Sequence, residues 1–257
     1  MKIGIIGSGN VGWNLVAGLA GSPFEVVQVM SRRAASAKAL AEEFGIVGWS
    51  ADPWDLRKDL DVALMATTDH SVGVVAKTYA DKRGKGTVFA HTSGSMPLAR
   101  LEPLGDPIGV FYPLQSFTRG RLANWREVPV FLEGNAEVVA RLRPLAEHLS
   151  GKVSELDSAG RLRLHLGAVF AHNFANYMWL LAEDAVRDLP GGGLQYYEPL
   201  IRECVEKAFS LGPYDAHTGP ARRGDQGTMD KHLDLLEGDA AEVYKEISRM
   251  ITERFKG

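Results

Sequence analysis

Residues 1–20 read MKIGIIGSGNVGWNLVAGLA, an apolar run that leads directly into closely spaced glycines and then into a stretch with helical spacing. Gly7, Gly9 and Gly12 form the pattern Gly-x-Gly-x-x-Gly between the predicted strand and the predicted helix. In this context the first glycine permits a tight turn, the second lets a pyrophosphate approach the backbone, and the third lets helix and strand pack closely. Amides at the start of the helix then point at the phosphates. We therefore predict a dinucleotide-binding Rossmann domain; the alternative is a Rossmann domain that binds no ligand.

The end of the second predicted strand distinguishes between the two nicotinamide dinucleotides. NAD-binding domains place a carboxylate there for the ribose hydroxyls. This chain has Ser31-Arg32-Arg33 instead, whose forked guanidiniums and hydroxyl suit a 2'-phosphate. The prediction is NADP(H), and the alternative interpretation is a solvated basic helix start. The predicted cofactor-binding residues are Gly7, Ser8, Gly9, Asn10, Val11, Gly12, Ser31, Arg32, Arg33, Thr67 and Thr68.

Short apolar runs alternate with amphipathic stretches up to about residue 156, which is typical of a parallel sheet with crossover helices. Strands are predicted near residues 2–6, 25–30, 46–47, 62–66, 87–90, 108–111, 128–132 and 153–156, and the clearest helices at 11–20, 34–44, 70–81 and 136–149. Beyond Asp157 the spacing is helical only, over residues 158–188, 196–211, 225–236 and 240–255. We predict an α/β fold with a doubly wound, mostly parallel Rossmann sheet in residues 1–156 and an all-helical domain in residues 157–257.

Composition narrows the class of partner. The formal charge of −3 provides no cationic field that would attract nucleic acid or an anionic membrane. Because Cys204 is the only cysteine, the chain cannot form an internal disulfide framework, which fits a cytoplasmic protein. Residues 164–182 contain no Asp, Glu, Lys or Arg, but His165, His172, Asn173 and Asn176 make a membrane span too costly. We expect a helix buried on most sides and predict a homodimer built through the helical domain.

Polar residues follow the fourth and fifth predicted strands, at the carboxyl edge where open parallel sheets bind ligands. Residues 67–69 read Thr-Thr-Asp and residues 91–95 read His-Thr-Ser-Gly-Ser. Hydroxyls there suit the nicotinamide amide or a substrate carboxylate, but turn and N-cap chemistry would explain them equally well. His91 is equally compatible with a core position. Ser93, Gly94 and Ser95 are predicted to bind substrate, together with Gln115 after the sixth strand.

Four motifs resemble those of bacterial Rossmann-like proteins whose C-terminal part is a domain of unknown function. The motifs are His91-Thr92-Ser93-Gly94-Ser95, Pro113-Leu114-Gln115-Ser116-Phe117, His172-Asn173-Phe174-Ala175-Asn176, and Thr218-Gly219-Pro220-Ala221-Arg222-Arg223-Gly224-Asp225. The order of domains also resembles the superfamily of pyrroline-5-carboxylate reductase, ketopantoate reductase and 3-hydroxyisobutyrate dehydrogenase. Such relatives commonly have histidine where this chain has Tyr112, so the resemblance implies no role for that position.

The long C-terminal helix is predicted to supply the acid of the reaction. His172 and Asn176 are four residues apart and so share one face of a regular helix, with His165 two turns earlier. An imidazole can deliver a proton while an amide orients the substrate. The resemblance implies the same arrangement, because 3-hydroxyisobutyrate dehydrogenases carry a catalytic lysine and an asparagine on this helix, and this chain has no lysine between Val153 and Glu206. His172 and Asn176 are the predicted catalytic residues, with His165 as the open alternative donor and hydrogen-bonded packing as the competing interpretation.

These observations predict an NADPH-dependent oxidoreductase that reduces the carbonyl or imine of a small carboxylate. By resemblance, ketopantoate is one candidate substrate, and a cyclic imine acid is another. Arg222 and Arg223 are predicted to hold the substrate carboxylate, unless they form a solvated basic loop. No metal-ligand spacing is present, so we predict no metal site. The alternative from another class is a non-catalytic NADP(H)-binding sensor or scaffold.

Overall fold

A computed structural model describes residues 1–256, and the chain forms two compact units, Met1–His172 and the residues from Asn173 onward. The first unit contains one eight-stranded sheet in the order β3-β2-β1-β4-β5-β6-β7-β8. Its strands are β1 (Lys2–Ile6), β2 (Glu25–Met30), β3 (Gly48–Ser50), β4 (Val62–Met65), β5 (Val88–His91), β6 (Ile108–Pro113), β7 (Val130–Gly134) and β8 (Val153–Glu155). All neighbouring strands are parallel except β6 and β7. The predicted doubly wound, mostly parallel sheet is confirmed.

Helices cover both faces of this sheet because alternate side chains of each strand point to opposite faces. In β4, Val62 and Leu64 belong to one apolar core, whereas Ala63 and Met65 belong to the other. The helices of this unit are α1 (Asn10–Leu19), α2 (Ala34–Glu43), α3 (Val72–Tyr79), α4 (Ala136–Leu149) and α5 (Ser158–Ala168). α1, α2 and α4 contribute to the first core, and α3 contributes to the second.

The third strand lies further along the chain than predicted. Ile46 donates its backbone N–H to the carbonyl of Ala41 at 2.8 Å and so closes the end of α2, while Val47 is 95% exposed. Strand β3 begins at Gly48, where a side chain would be 2.5 Å from the carbonyl oxygen of Val27. The apolar pair at 46–47 therefore ends a helix, and the prediction that it forms the strand was wrong.

The second unit is entirely helical. It contains α6 (Ala175–Asp184), α7 (Glu198–Leu211), α8 (Pro213–Ala216), α9 (Pro220–Arg223), α10 (Gln226–Leu233) and α11 (Gly238–Phe255). The helical turn α9 carries Arg222 and Arg223, so these two arginines are not in an irregular loop. Asp225 caps α10 by accepting from the backbone N–H of Thr228 at 3.1 Å.

The predicted helix over residues 158–188 is present as α5, a π-helical turn at Val169–Phe174, and α6. A π-helical turn adds a residue to the ordinary helical repeat. His172 lies in this turn, so the spacing-of-four argument that placed it with Asn176 no longer applies. Within residues 1–256, none of the helices combines the length and the hydropathy that a membrane-spanning segment requires.

Candidate active site

The three glycines of the first turn have the geometry that a dinucleotide requires. Gly7 has a φ of +120°, and an added Cβ there would be 2.1 Å from the carbonyl oxygen of Ala66. A Cβ on Gly12 would be 2.0 Å from the carbonyl oxygen of Gly7, which shows how closely α1 approaches the end of β1. At Gly9, nothing lies within 4 Å of an added Cβ. Two glycines thus shape the turn, and the third leaves its backbone open to a ligand.

The residues after β2 lie beside this turn. The Ser8 hydroxyl donates to the Ser31 hydroxyl at 2.9 Å, which joins the glycine turn to the end of the second strand. Arg32 and Arg33 are exposed, and their guanidiniums have no hydrogen bond or ion pair with any residue between 1 and 256. No carboxylate occupies residues 31–33. Two free guanidiniums and a hydroxyl are therefore available to a ribose phosphate.

Residues of the predicted cofactor set also hold the turn itself together. Asn10 begins α1, and its side-chain oxygen accepts from the backbone N–H of Arg119 at 3.2 Å. Thr68 caps a short 3₁₀ turn, and its hydroxyl is 2.9 Å from the hydroxyl of Ser71. Thr67 differs, because its hydroxyl is buried with no hydrogen-bond partner in the part of the chain that the structure describes. Its hydroxyl is accordingly the unsatisfied polar group of the predicted cofactor-binding residues.

The loop after β5 is held by its own side chains. Ser93 accepts from the backbone N–H groups of Ser95 at 3.2 Å and Met96 at 3.0 Å, and the Ser95 hydroxyl donates to the carboxylate of Asp69. Turn chemistry is thus one role of Ser93, as the alternative interpretation proposed. Asp69 follows β4, so the contact with Ser95 joins the loops of two neighbouring strands.

His91, the last residue of β5, is fully buried. Its Nδ1 accepts from the backbone N–H of Ser93 at 3.2 Å, so the proton of the neutral ring is on Nε2. Nε2 has no hydrogen-bond partner in the described residues. The nearby carbonyl of Pro97 favours the charged form of the ring, but its effect on the pKa is smaller than the effects of burial and of Arg161. Burial, followed by the charge of Arg161, lowers the pKa of His91 to about 4, so the ring is neutral at physiological pH.

Tyr112 and His165 form a polar pair directly over Gly94. The Tyr112 hydroxyl is 3.2 Å from Nδ1 of His165, and Tyr112 is near the carboxyl end of β6 whereas His165 is on α5. An added Cβ on Gly94 would be 2.6 Å from His165 Nδ1 and 2.8 Å from the Tyr112 oxygen. Burial, together with the Asp69 carboxylate, raises the pKa of Tyr112 to about 12. A glycine at position 94 is what permits this close approach.

A buried cation fastens α5 to the same loop. Arg161 is fully buried, and its guanidinium donates to the carbonyls of Ser93 at 3.2 Å and Met96 at 2.5 Å and forms an ion pair with Glu133. All of its charge is satisfied within the first unit, so it is not available to a substrate. Its effect is to hold the helix that carries His165 against the loop that carries Gly94.

The remaining predicted residues are in the loop after β6, in the π-helical turn and in the second unit. Gln115 is exposed and accepts from the backbone N–H of Ser116 at 2.8 Å. His172 is exposed at the end of the first unit, and Asn176 is exposed in the second. Arg222 donates to the carbonyls of Tyr214 and Asp215 at 3.4 and 3.3 Å and to that of His217, and its guanidinium is 4.8 Å from the Phe255 ring centroid.

Of the two adjacent arginines, only Arg223 has an uncommitted guanidinium among the described residues. No group of three or more His, Cys, Asp or Glu residues in positions 1–256 is arranged to hold a metal ion.

Sequence reasoning missed the Tyr112–His165 contact, the Asp69–Ser95 contact and the burial of Arg161. Each of them joins residues that are far apart in the chain, with separations of 53 residues for the first and 26 for the second. The available signal was the order of elements, because Tyr112 and Asp69 follow or end parallel strands and so come to one edge of the sheet.

Comparisons with known proteins show the family and the fold of the chain. Residues 2–89 match the family described as NADP oxidoreductase coenzyme F420-dependent, and residues 128–251 match DUF2520, a domain of unknown function. A candidate NADP oxidoreductase from Bacteroides fragilis is 33% identical over 98% of each chain, with a TM-score of 0.91. No curated protein matches the chain.

Two more distant solved structures share the fold. A Thermotoga maritima protein is 20% identical over 99% of this chain and 100% of its own, with a TM-score of 0.80. A reductive aminase from Aspergillus terreus, in complex with NADPH and ethyl-5-oxohexanoate, is 13% identical over 100% of this chain and 95% of its own, with a TM-score of 0.72. On its glycine turn, its fold and its 33% identity along nearly the whole length of the Bacteroides fragilis protein, the chain belongs to this family of Rossmann-type NADP oxidoreductases, and its C-terminal region is a DUF2520 domain.

Proposed function

We propose that this NADP oxidoreductase reduces the carbonyl or imine group of a small carboxylate substrate. The observation that carries the proposal is that a phosphate-binding turn open at Gly9 and a tyrosine–histidine pair both lie at the carboxyl edge of one parallel sheet. Reduction of a C=O or C=N bond needs a hydride and a proton, and this edge offers a place for the donor of each. A 2-oxo acid such as ketopantoate and a cyclic imine acid both fit this chemistry.

The residues around the turn would hold the cofactor, and NADPH would supply the hydride. Amides at the start of α1 face the space left open at Gly9, where they would bind the pyrophosphate. Arg32 and Arg33 would pair with the 2'-phosphate, and Ser31 would donate to it. The hydroxyl of Thr67 has no partner in the described chain and would donate to the nicotinamide end.

Substrate binding and proton delivery remain proposals about particular side chains. We propose that the substrate contacts Ser93, Ser95 and Gln115. Of the two arginines, Arg223 is the candidate for binding the carboxylate, because the guanidinium of Arg222 already donates to backbone carbonyls. The proton is proposed to come from a histidine of the segment 158–184, either His165 or His172, with Asn176 orienting the substrate.

A substrate screen tests the proposal. The purified protein is incubated with NADPH and a panel of 2-oxo acids and cyclic imine carboxylates, and NADPH oxidation is followed by its ultraviolet absorbance. We expect at least one class to be reduced. If NADPH binds and no member of either class is reduced, the non-catalytic sensor or scaffold becomes the better explanation.

A glycine variant tests the cofactor site independently of any substrate. Gly9→Ala has room for its new methyl group within the protein but places it where the pyrophosphate would approach, so NADPH affinity should fall by at least about 10-fold with no loss of folding. Gly227→Ala is the matched control, because its Cβ also meets nothing within 4 Å. Equal NADPH affinity of the Gly9→Ala variant and the wild type would contradict the assignment of the turn.

A further inference from the structure

The contact between Tyr112 and His165 places the polar atoms of two titratable side chains next to each other above Gly94. Tyr112 is 7% exposed, whereas His165 is only partly buried. The Tyr112 oxygen is 3.2 Å from Nδ1 of His165, and Nε2 of the same ring has no hydrogen bond within residues 1–256.

The two side chains differ in their fitness as proton donors. Burial and the carboxylate of Asp69 hold the pKa of Tyr112 at about 12, which makes the phenol a poor acid at neutral pH. A phenol that keeps its proton is still a good hydrogen-bond partner, because its oxygen both donates and accepts. An imidazole has two ring nitrogens, so a partner can hold one of them while the other delivers a proton.

We infer that His165 is the proton donor of the reaction and that Tyr112 is its positioning residue. This inference rests on the proposed function. Tyr112 engages Nδ1 and so leaves Nε2 as the ring nitrogen without a hydrogen bond in the described residues, and Gly94 supplies the space in which the two polar atoms meet. Arg161, through the carbonyls of Ser93 and Met96, holds α5 and the loop in place.

During reduction, His165 can deliver one proton to the substrate and recover it from solvent. In the imidazolium form, Nδ1–H donates to the Tyr112 oxygen and Nε2 carries the second proton. NADPH would supply a hydride to the carbonyl or imine carbon and become NADP+, and the electron pair of the double bond would move to oxygen or nitrogen. That atom would take the proton from Nε2 of His165. His165 is left neutral with Nδ1–H still bound to Tyr112, and solvent returns a proton to Nε2.

His172 is the competing donor. It is exposed, and no hydrogen bond or ion pair orients its ring in the described structure. A general acid must be held in a defined geometry to be effective, and only His165 of these two histidines has a partner that does this.

Variants of both histidines, made in the full-length protein and assayed with NADPH and a substrate from the screen, test the inference. His165→Gln should lower kcat about 10²-fold or more, because a positioned acid contributes at least this much. NADPH affinity should stay within about twofold of the wild type, and the solvent deuterium isotope effect on kcat should rise because proton transfer becomes slow. Tyr112→Phe should lower kcat about 10-fold with the same change in isotope effect and little change in KM.

Two controls separate a chemical role from a structural one. Imidazole in the buffer should restore part of kcat to the His165→Ala variant, which a purely structural defect would not allow. His148→Gln changes a histidine of α4 that contacts Phe24, with ring centroids 5.3 Å apart, and should leave kcat unchanged.

Different results would overturn the proposed function and the assignment of His165. A wild-type protein that binds NADPH but reduces no substrate overturns the proposed function, and the assignment of His165 falls with it. An active wild type whose His165→Gln variant keeps kcat within about threefold overturns the assignment alone, as does a large loss confined to His172→Gln. A third result is that the His165→Gln variant loses kcat with no change in isotope effect, while imidazole fails to restore the His165→Ala variant. That result would assign His165 a structural role and would also overturn the inference.

Discussion

Arg161 shows how one buried charge can hold a site together without entering its chemistry. Its guanidinium is satisfied by two backbone carbonyls and by Glu133, whose side chain is only 17% exposed. Arg161→Met keeps much of the volume but leaves that carboxylate without its partner. We expect the free energy of unfolding, measured by urea denaturation, to fall by about 3 to 5 kcal/mol.

Arg249→Met is the control for this measurement. Arg249 likewise forms ion pairs, with Glu246 and Glu253. These pairs lie on the exposed surface of α11, where ion pairs contribute little to the free energy of unfolding. The control should therefore be as stable as the wild type. If the two variants lost similar stability, the burial of Arg161 would not be what makes it important.

His91 should make the protein less stable in mild acid. Its pKa is about 4 in the folded chain and near the ordinary histidine value of 6.5 when unfolded, so the unfolded state binds the extra proton first as the pH falls. The stability that the neutral ring confers is present above pH 6.5 and is lost as the pH falls towards 4, by about 2 kcal/mol between pH 7 and pH 5.

Comparison with His91→Gln isolates this contribution from that of the carboxylates, which titrate in both proteins. The variant should lose about 2 kcal/mol less than the wild type when urea denaturation at pH 7 is compared with the same experiment at pH 5. Identical pH dependence of the two proteins would show that protonation of His91 is not coupled to unfolding.

We expect the junction of β2 and α2 to set the preference between the two nicotinamide cofactors. Arg32 and Arg33 stand free in the described structure, and a charged, forked contact to a phosphate contributes about 1.5 to 3 kcal/mol. We expect NADPH to bind about one to two decades more tightly than NADH in a fluorescence titration. The double variant Arg32→Ala and Arg33→Ala should remove most of this difference by weakening NADPH binding alone. Equal affinities in the wild type, or an unchanged ratio in the variant, would refute the role of the arginines.

Elements whose pattern is local were predicted well from the sequence. Helix α4 has the predicted bounds, Ala136–Leu149, because its apolar positions repeat with helical spacing and Asn135 caps it by accepting from Val138 at 2.9 Å. Strands β1 and β2 also have their predicted bounds. The third strand and the π-helical turn were not predictable in this way, since β3 depends on pairing with β2 and a π-helical turn has no simple periodic signature.

In the candidate site too, features that depend on neighbouring residues in the sequence could be predicted, whereas features that depend on tertiary packing could not. The glycine turn could be predicted because its residues are neighbours in sequence and their spacing carries the mechanism. The sequence also indicated that the loop after β5 belongs at the ligand edge. The partner of His165 could not be identified, because Tyr112 is 53 residues away and the approach of the two depends on the packing of α5 over Gly94. Burial of Arg161 likewise follows from tertiary packing rather than from any local pattern.

The second unit exposes more apolar surface than an isolated helical unit normally does. Helices α6 and α7 have no buried residues, and on α7 Leu200 is 66% and Phe209 is 90% exposed. The same unit contains a cavity of about 530 Å³ lined mainly by apolar side chains of α6, α9, α11 and the turn after α10. Large exposed apolar areas of this kind commonly mark protein interfaces.

We therefore expect the protein to be a homodimer assembled through its helical domain, as the uncharged stretch 164–182 predicts. At micromolar concentration, light scattering should give twice the mass of one chain. Leu200→Glu combined with Phe209→Glu should shift the protein to monomer, because each buried carboxylate would lose its hydration without gaining a partner. Val47→Glu is the matched control, since Val47 is 95% exposed but lies in the first unit, and this variant should remain a dimer. A monomeric wild type would contradict the prediction, and dissociation of the Val47→Glu variant as well would place the interface outside the helical domain.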